Sequence, residues 1–159
     1  MKKSMLFGVL CIIAGSLAVN TASAQLAWTP EQKAVWKTET TIVDLWMKGD
    51  NTASLAYYDD SYQGWPNAVP IPVPKENMEI RMNYMVSQGG KLLYWNAIPM
   101  VIWVKGDFAY TDYYYQAIWQ DKDGKKTNER GKWLDILMKK NGIWVLVGDH
   151  GGEDPAPAK

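Results

Sequence analysis

The chain has 159 residues, with 17 Lys and Arg against 17 Asp and Glu, and one cysteine, Cys11. This length corresponds to about one domain, and the lack of a basic excess argues against a nucleic-acid partner. Because Cys11 lies in a segment that we expect to be removed, the mature chain has neither a thiolate metal site nor a cysteine nucleophile.

The first 24 residues have the pattern of a secretory signal peptide. Lys2 and Lys3 form a basic start, residues 5–14 are apolar, and Ala22-Ser23-Ala24 resembles a cleavage site. An uncleaved anchor is the alternative, but the apolar run is shorter than the roughly 20 residues that a membrane span needs. We therefore predict cleavage after Ala24, a periplasmic or secreted mature chain, and no membrane partner afterwards.

The mature composition is rich in large aromatic residues. Loss of Lys2 and Lys3 leaves 15 Lys and Arg against 17 Asp and Glu, a net charge of −2, and retains all nine Trp and all nine Tyr. Trp and Tyr carry a polar group that needs a partner even when the ring is buried. Their number suits a lined cavity or an interface, and an aromatic sheet face packed on helices is an equal alternative.

The first predicted helix begins at Pro30, behind a capping box formed by Thr29 and Gln32. It ends at Lys48-Gly49, since glycine favours the left-handed conformation that closes a helix. Its apolar stripe consists of Val35, Trp36, Ile42, Val43, Trp46 and Met47. This assignment leaves Glu39 outside the stripe.

Two more helices and a short strand follow. Asp50 is predicted to cap a helix over residues 51–58, and residues 62–65 form a strand. The four prolines between residues 66 and 74 predict an extended loop folded over one end of the domain. A third helix runs from Lys75 to about Gln88, with methionines on its apolar face.

From Lys91 onward the pattern is that of strands. Long strands are predicted over residues 91–104, interrupted by Pro99, and over residues 108–120. The segment 127–152 reads as a hairpin around Asn141-Gly142, because both residues tolerate the positive φ of a type I′ turn. Helices segregated from an antiparallel meander predict an α+β fold, a cone-shaped barrel of curved sheet around three N-terminal helices. Residues 153–159 are predicted to be a disordered tail.

This order of elements resembles the nuclear-transport-factor-2-like superfamily and, within it, the SnoaL-like proteins. Three segments carry the likeness, namely residues 46–50 (WMKGD), residues 106–109 (GDFA) and residues 135–144 (DILMKKNGIW), which lead into Asp149-His150. The resemblance implies that residues 25–152 form one SnoaL-like domain. The superfamily includes steroid isomerases, polyketide cyclases, dehydratases and the association domain of calcium/calmodulin-dependent kinase II, so the fold does not specify the function.

Strand alternation groups the candidate site residues by face. Asp135 shares a face with Trp133, and the resemblance to the kinase association domain implies that position 135 points into the cone. By the same likeness we place the face of Asp112 inward, and alternation puts His150 on the face of Leu146. The predicted ligand-binding residues are Tyr58, Trp65, Trp95, Tyr114, Gln116 and Trp133.

A carboxylate among aromatic rings has a raised pKa and can act as a general base near neutral pH. Asp135 or Asp112 beside His150 would form such an acid–base pair. The alternative is that a Tyr hydroxyl or a Lys fixes Asp135, and that His150 only ties the last strand to a backbone carbonyl. The position of His150 at a strand end favours the second role for the histidine.

These observations favour a secreted pocket protein that binds a small apolar or aromatic molecule and forms a homodimer through its outer sheet face. One histidine and scattered aspartates do not predict a metal site, and no glycine-rich loop predicts a bound cofactor. The alternatives are an isomerase, cyclase or lyase that uses a pocket aspartate as general base, and a dimeric interaction module without a ligand.

Overall fold

The structure, a computed structural model, describes residues 27–154. The predicted signal peptide and most of the predicted tail lie outside this range. Within residues 27–154, no helix combines the length and the apolar character needed to cross a membrane.

Three helices form one layer: α1 (Pro30–Met47), α2 (Asn51–Leu55) and α3 (Lys75–Ser87). The predicted capping box is present, since the Thr29 side chain accepts from the Gln32 N–H and the Gln32 side chain accepts from the Thr29 N–H. Asp50 caps α2 through the N–H of Ala53, as predicted. α2 is shorter than predicted, because the chain has already entered a strand at Tyr58.

Six strands form the second layer. They are β1 (Tyr58–Pro66), β2 (Val73–Pro74), β3 (Lys91–Lys105), β4 (Phe108–Gln120), β5 (Lys126–Lys140) and β6 (Ile143–Glu153). They make one sheet in the order β2-β1-β6-β5-β4-β3. The predicted antiparallel meander of β3 to β6 is confirmed, and β1 extends it by pairing in parallel with β6. The sheet is curved but not closed, so the α+β cone is an open one.

The last hairpin closes through the predicted two-residue turn, in which Asn141 has a φ of 52° and Gly142 a φ of 81°. Further along, β6 carries a bulge: Leu146 pairs with Leu137, whereas Gly148 pairs with Ile136, which leaves Val147 without a partner. A bulge reverses the alternation of side chains beyond it.

Because of this bulge, Asp149 lies opposite Asp135, and His150 lies opposite Leu134 on the other face of the sheet. The prediction that His150 shares a face with Leu146 is therefore wrong.

The helices pack on the concave face of the sheet. The main core cluster consists of Val35, Ile42, Leu55, Tyr58, Tyr62, Met82, Ile102, Ala109, Leu137, Trp144 and Leu146. A second, smaller cluster of Val43, Leu92 and Ala117 packs against Trp46 and Trp119. α1 contributes to both clusters, so it fixes the position of the sheet across the whole concave face.

Candidate functional site

A cavity of about 590 Å³ lies between the helices and the concave face of the sheet. Its walls come from α1, α3, the loop after β1 and the inner faces of β3 to β6. The large rings that line it are Trp46, Tyr58, Trp95, Tyr113, Tyr115, Trp119 and Trp133. The volume lies within the range of small-molecule sites.

Three carboxyl groups line this cavity and are almost completely buried. Glu39 from α1 and Asp135 from β5 are each 3% exposed, and Asp149 from β6 is 7% exposed. Glu39 lies four residues after Val35 and three before Ile42, which places it on the buried face of α1. Asp135 and Asp149 form a cross-strand pair, a position at which Cβ atoms are about 4.5–5.5 Å apart.

Two neutral donors hold Asp135. The Tyr113 hydroxyl donates to Oδ2 at 2.7 Å, and the Trp133 indole N–H donates to Oδ1 at 3.1 Å. Burial, reinforced by the nearby charge of Asp149, raises the pKa of Asp135 to about 7, against the opposing effect of the adjacent Glu39 carboxyl and of these two hydrogen bonds. The group can therefore gain or lose a proton near neutral pH.

The Tyr62 hydroxyl donates a hydrogen bond to Asp149 Oδ2. Burial raises the pKa of Asp149. This hydrogen bond counteracts the rise most strongly, followed by the Trp65 backbone and, more weakly, by the charge of Arg81. Gly64 of the neighbouring strand makes room for the pair: a Cβ there would lie 2.7 Å from Asp149 Oδ1 and would collide with the Tyr62 hydroxyl.

Glu39 has the least compensated environment of the three. Burial and, secondly, the neighbouring Asp135 raise its pKa well above the usual value. Among residues 27–154, Glu39 Oε1 and Asp149 Oδ1 are buried oxygens without a hydrogen-bond partner. An unpaired buried polar group costs about 1–3 kcal/mol, so both oxygens favour a donor in the cavity.

The carboxyl cluster differs from a metal centre. Across residues 27–154, no three His, Cys, Asp or Glu side chains are arranged so that they could hold a metal ion.

The structure places four predicted site residues in the cavity wall, namely Tyr58, Trp95, Trp133 and Asp135. It contradicts the inward placement of three others on β4, namely Asp112, Tyr114 and Gln116. Asp112 pairs with Leu134 and Thr111 with Asp135, so the odd-numbered residues of β4 face the cavity and the even-numbered ones face outward.

His150 and Trp65 also lie outside the cavity wall. Both are exposed, and the His150 ring packs edge-on against Trp65 with its Nδ1 atom 2.7 Å from the Trp65 carbonyl oxygen. An acid–base pair of His150 with Asp135 is not formed, because the bulge at Val147 turns the histidine to the other face. The backbone tie that the sequence offered as the alternative is the contact observed.

Sequence reasoning missed two of the three buried acids. Glu39 carried a detectable signal, because its spacing from Val35 and Ile42 matches a helical face. Asp149 carried none, since its orientation depends on a bulge whose position follows from the pairing of β5 with β6.

No known family model matches the chain, and no curated protein sequence matches it. Solved structures do match its fold. A ketosteroid isomerase-like protein from Erwinia carotovora aligns with a TM-score of 0.69 and 14% identity, over 81% of this chain and 100% of the other. An NTF2-like protein of unknown function in nutrient uptake from Rhodospirillum rubrum aligns with a TM-score of 0.65 and 15% identity, over 76% and 98%.

The association domain of C. elegans CaMKII also aligns, with a TM-score of 0.57 and 18% identity, over 77% of this chain and 95% of the other. Together these matches show that the chain has an NTF2-like fold, as the order of its elements predicted. At these identities the likeness concerns the fold alone.

The raised pKa of Asp135 predicts an unusual pH dependence of stability. The unfolded chain loses this proton near pH 4 and the folded chain near pH 7, so the free energy of unfolding should fall as the pH rises between these values. We expect Asp135→Asn to reduce this fall by about 2–4 kcal/mol, measured by urea unfolding at pH 4.5, 6 and 8. Asp112→Asn, on the outer face, is the matched control, and an unchanged slope in Asp135→Asn would contradict the assignment.

Proposed function

We propose that this chain is a secreted pocket protein that binds a small, mainly apolar or aromatic molecule in the cavity between α1, α3 and the sheet. The observation that carries the proposal is the cavity itself: about 590 Å³, walled mainly by aromatic and aliphatic side chains, with a cluster of three buried carboxyl groups among its polar residues. Ligand sites generally have this composition. The signal-peptide pattern of residues 1–24 supports export before the protein acts.

The aromatic wall is packed in advance of any ligand. Trp36 contacts Tyr113 edge-on at 5.5 Å between ring centroids, and Trp95 contacts both rings at 6.5 and 6.2 Å. Aromatic side chains that are already fixed lose little conformational entropy when a ligand binds. The wall therefore supports binding without a large rearrangement of the fold.

A cavity-filling substitution tests the proposal. Ala117 lines the cavity, and Gln116 lies next to it on the opposite face of β4. We expect the wild type, purified from a periplasm with Gln25 as its first residue, to bind the neutral dye N-phenyl-1-naphthylamine at one per chain. Ala117→Phe should weaken binding at least tenfold, because the added ring occupies the cavity.

Gln116→Phe is the matched control and should bind the dye like the wild type. Circular dichroism establishes that both variants fold. Equal dye binding by the two variants, or no binding of the dye by the wild type, would count against a ligand-binding cavity.

A second candidate is an isomerase, cyclase or lyase in which Asp135 is the general base. The observation that favours it is a buried carboxyl whose pKa is raised to about 7, by burial and by Asp149, in the wall of an apolar cavity. A base with a pKa near the working pH is the most effective in proton transfer. One structural neighbour is described as ketosteroid isomerase-like, which is compatible with such chemistry.

Proton transfer can be measured before the natural substrate is known. We expect the wild type to speed the incorporation of deuterium next to the carbonyl of a cyclic enone such as 3-cyclohexenone in D2O, followed by NMR. Asp135→Asn should lower this rate about 10²- to 10⁴-fold, the usual contribution of a general base. Asp112→Asn should leave it unchanged, and equal rates in all three proteins would exclude Asp135 as the base.

We also propose that the chain forms a homodimer through the outer face of its sheet. This face presents large apolar side chains to solvent, among them Ile98, Val101, Trp103, Tyr114 and Met138. Trp103 stacks on Tyr110 at 5.5 Å, which makes a flat aromatic surface. Exposed apolar surface of this kind marks interaction sites, and an association domain is among the structural neighbours.

We expect the wild type to have the mass of two chains when it is measured by light scattering coupled to size-exclusion chromatography. Ile136→Arg places a charge in the middle of the outer face, where Ile136 pairs with Tyr110, and should shift the mass to one chain. Ile80→Arg, at an exposed apolar position on α3, is the matched control and should remain dimeric. A wild type that elutes as one chain at 100 µM would refute the proposal.

A further inference from the structure

Acidic residues far outnumber basic ones in the cavity wall. Five of the lining residues are acidic: Glu39, Glu129, Asp135, Asp149 and Glu153. The single basic side chain among them is Arg81, which is exposed on α3. Burial favours the protonated form of the three innermost carboxyls. A cation bound beside them would favour their ionised form, and the apolar walls would strengthen that interaction, so the cavity suits a positively charged ligand.

Two oxygens of the carboxyl cluster specify where a cation would bind. Tyr113 and Trp133 occupy both oxygens of Asp135, and Tyr62 occupies one oxygen of Asp149. Over the described range 27–154, Glu39 Oε1 and Asp149 Oδ1 are left without donors although both residues are more than nine-tenths buried. A group with several N–H donors and a positive charge would satisfy both atoms together.

The walls beside the cluster suit an organic cation. Tyr58 and Trp133 line the same cavity as the acids, and the negative faces of aromatic rings attract ammonium groups. Trp46 lies seven residues after Glu39, two turns or ~10 Å along the helix. Its indole N–H is buried and, within the described chain, has no acceptor. The far end of a ligand could therefore carry an acceptor atom.

We infer that the ligand class of this cavity is an aromatic or alicyclic amine, bound as an ammonium ion between Glu39 and Asp149. This inference rests on the proposed pocket function and adds that the ligand carries a positive charge. A carboxylate or phosphate ligand would face five acidic side chains and one exposed arginine. An uncharged ligand would leave Glu39 Oε1 and Asp149 Oδ1 without a charged donor.

A series of ligands with one skeleton and different charges tests the inference. We choose 2-(2-naphthyl)ethylamine, 2-(2-naphthyl)ethanol and 2-naphthylacetate, titrated into the mature chain at pH 7.5 by isothermal calorimetry and by the indole N–H signals in NMR. The amine should bind at least tenfold more tightly than the alcohol, and the acetate should bind more weakly than either. In the double variant Glu39→Gln, Asp149→Asn, the amine and the alcohol should bind within threefold of each other.

The control variant is Asp112→Asn, which removes an outer-face carboxylate and should retain the preference for the amine. An alcohol that binds as tightly as the amine, or a preference that survives in the double variant, would overturn the ammonium site while leaving the pocket function intact. Tighter binding of Ca²⁺ or Mg²⁺ alone than of the amine would overturn it in favour of a metal site. If none of the three ligands bound and N-phenyl-1-naphthylamine also failed, the pocket function would fall with it.

Discussion

The structure depends on one unfavourable arrangement, the burial of three carboxyl groups in a single apolar cavity. A rise of one pKa unit corresponds to a free energy of about 1.4 kcal/mol. The pKa of Asp135 rises from about 4 to about 7, so ionising this carboxyl in the folded chain is costly. The side chains that donate hydrogen bonds to the cluster reduce this cost and are themselves neutral. Tyr62, Tyr113 and Trp133 donate neutral hydrogen bonds and leave the cavity acidic.

Such a cluster lowers the free energy of unfolding, and the packing of the remaining domain has to offset this loss. The core around Val35, Leu137 and Leu146 is fully buried, and the meander that carries Asp135 and Asp149 is long and paired except at the bulge of Val147. A rigid scaffold allows titratable groups to be held in unfavourable surroundings, which is the usual condition of a functional site. The proposed ligand site would account for a carboxyl cluster that does not stabilise the fold.

The sequence predicted the helices and strands more completely than the residues that line the cavity. Capping residues, glycines and the Asn141-Gly142 turn act locally, so the ends of α1 and the final hairpin could be assigned from neighbouring residues. The inner face of β4 could not be assigned, because Tyr113 and Tyr114 are equally plausible on either side. The pairing register of β4 with β5 determines which of the two faces inward. This register depends on both strands, so it cannot be read from the sequence of β4 alone. The bulge at Val147 is likewise set by strand pairing, and it decides that Asp149 rather than His150 enters the cavity.

The same alternation explains how one sheet can serve two surfaces. The consecutive residues Tyr113, Tyr114 and Tyr115 point inward, outward and inward, so the aromatic composition is divided between the cavity and the outer face. Inside, Tyr113 binds a carboxylate through its hydroxyl; outside, Tyr114 lies under the Lys132 ammonium at 5.7 Å. The aromatic side chains of these strands therefore lie partly in the cavity wall and partly on the exposed outer face. Since β4 and β5 are shared, a substitution that shifts their register would alter both surfaces at once.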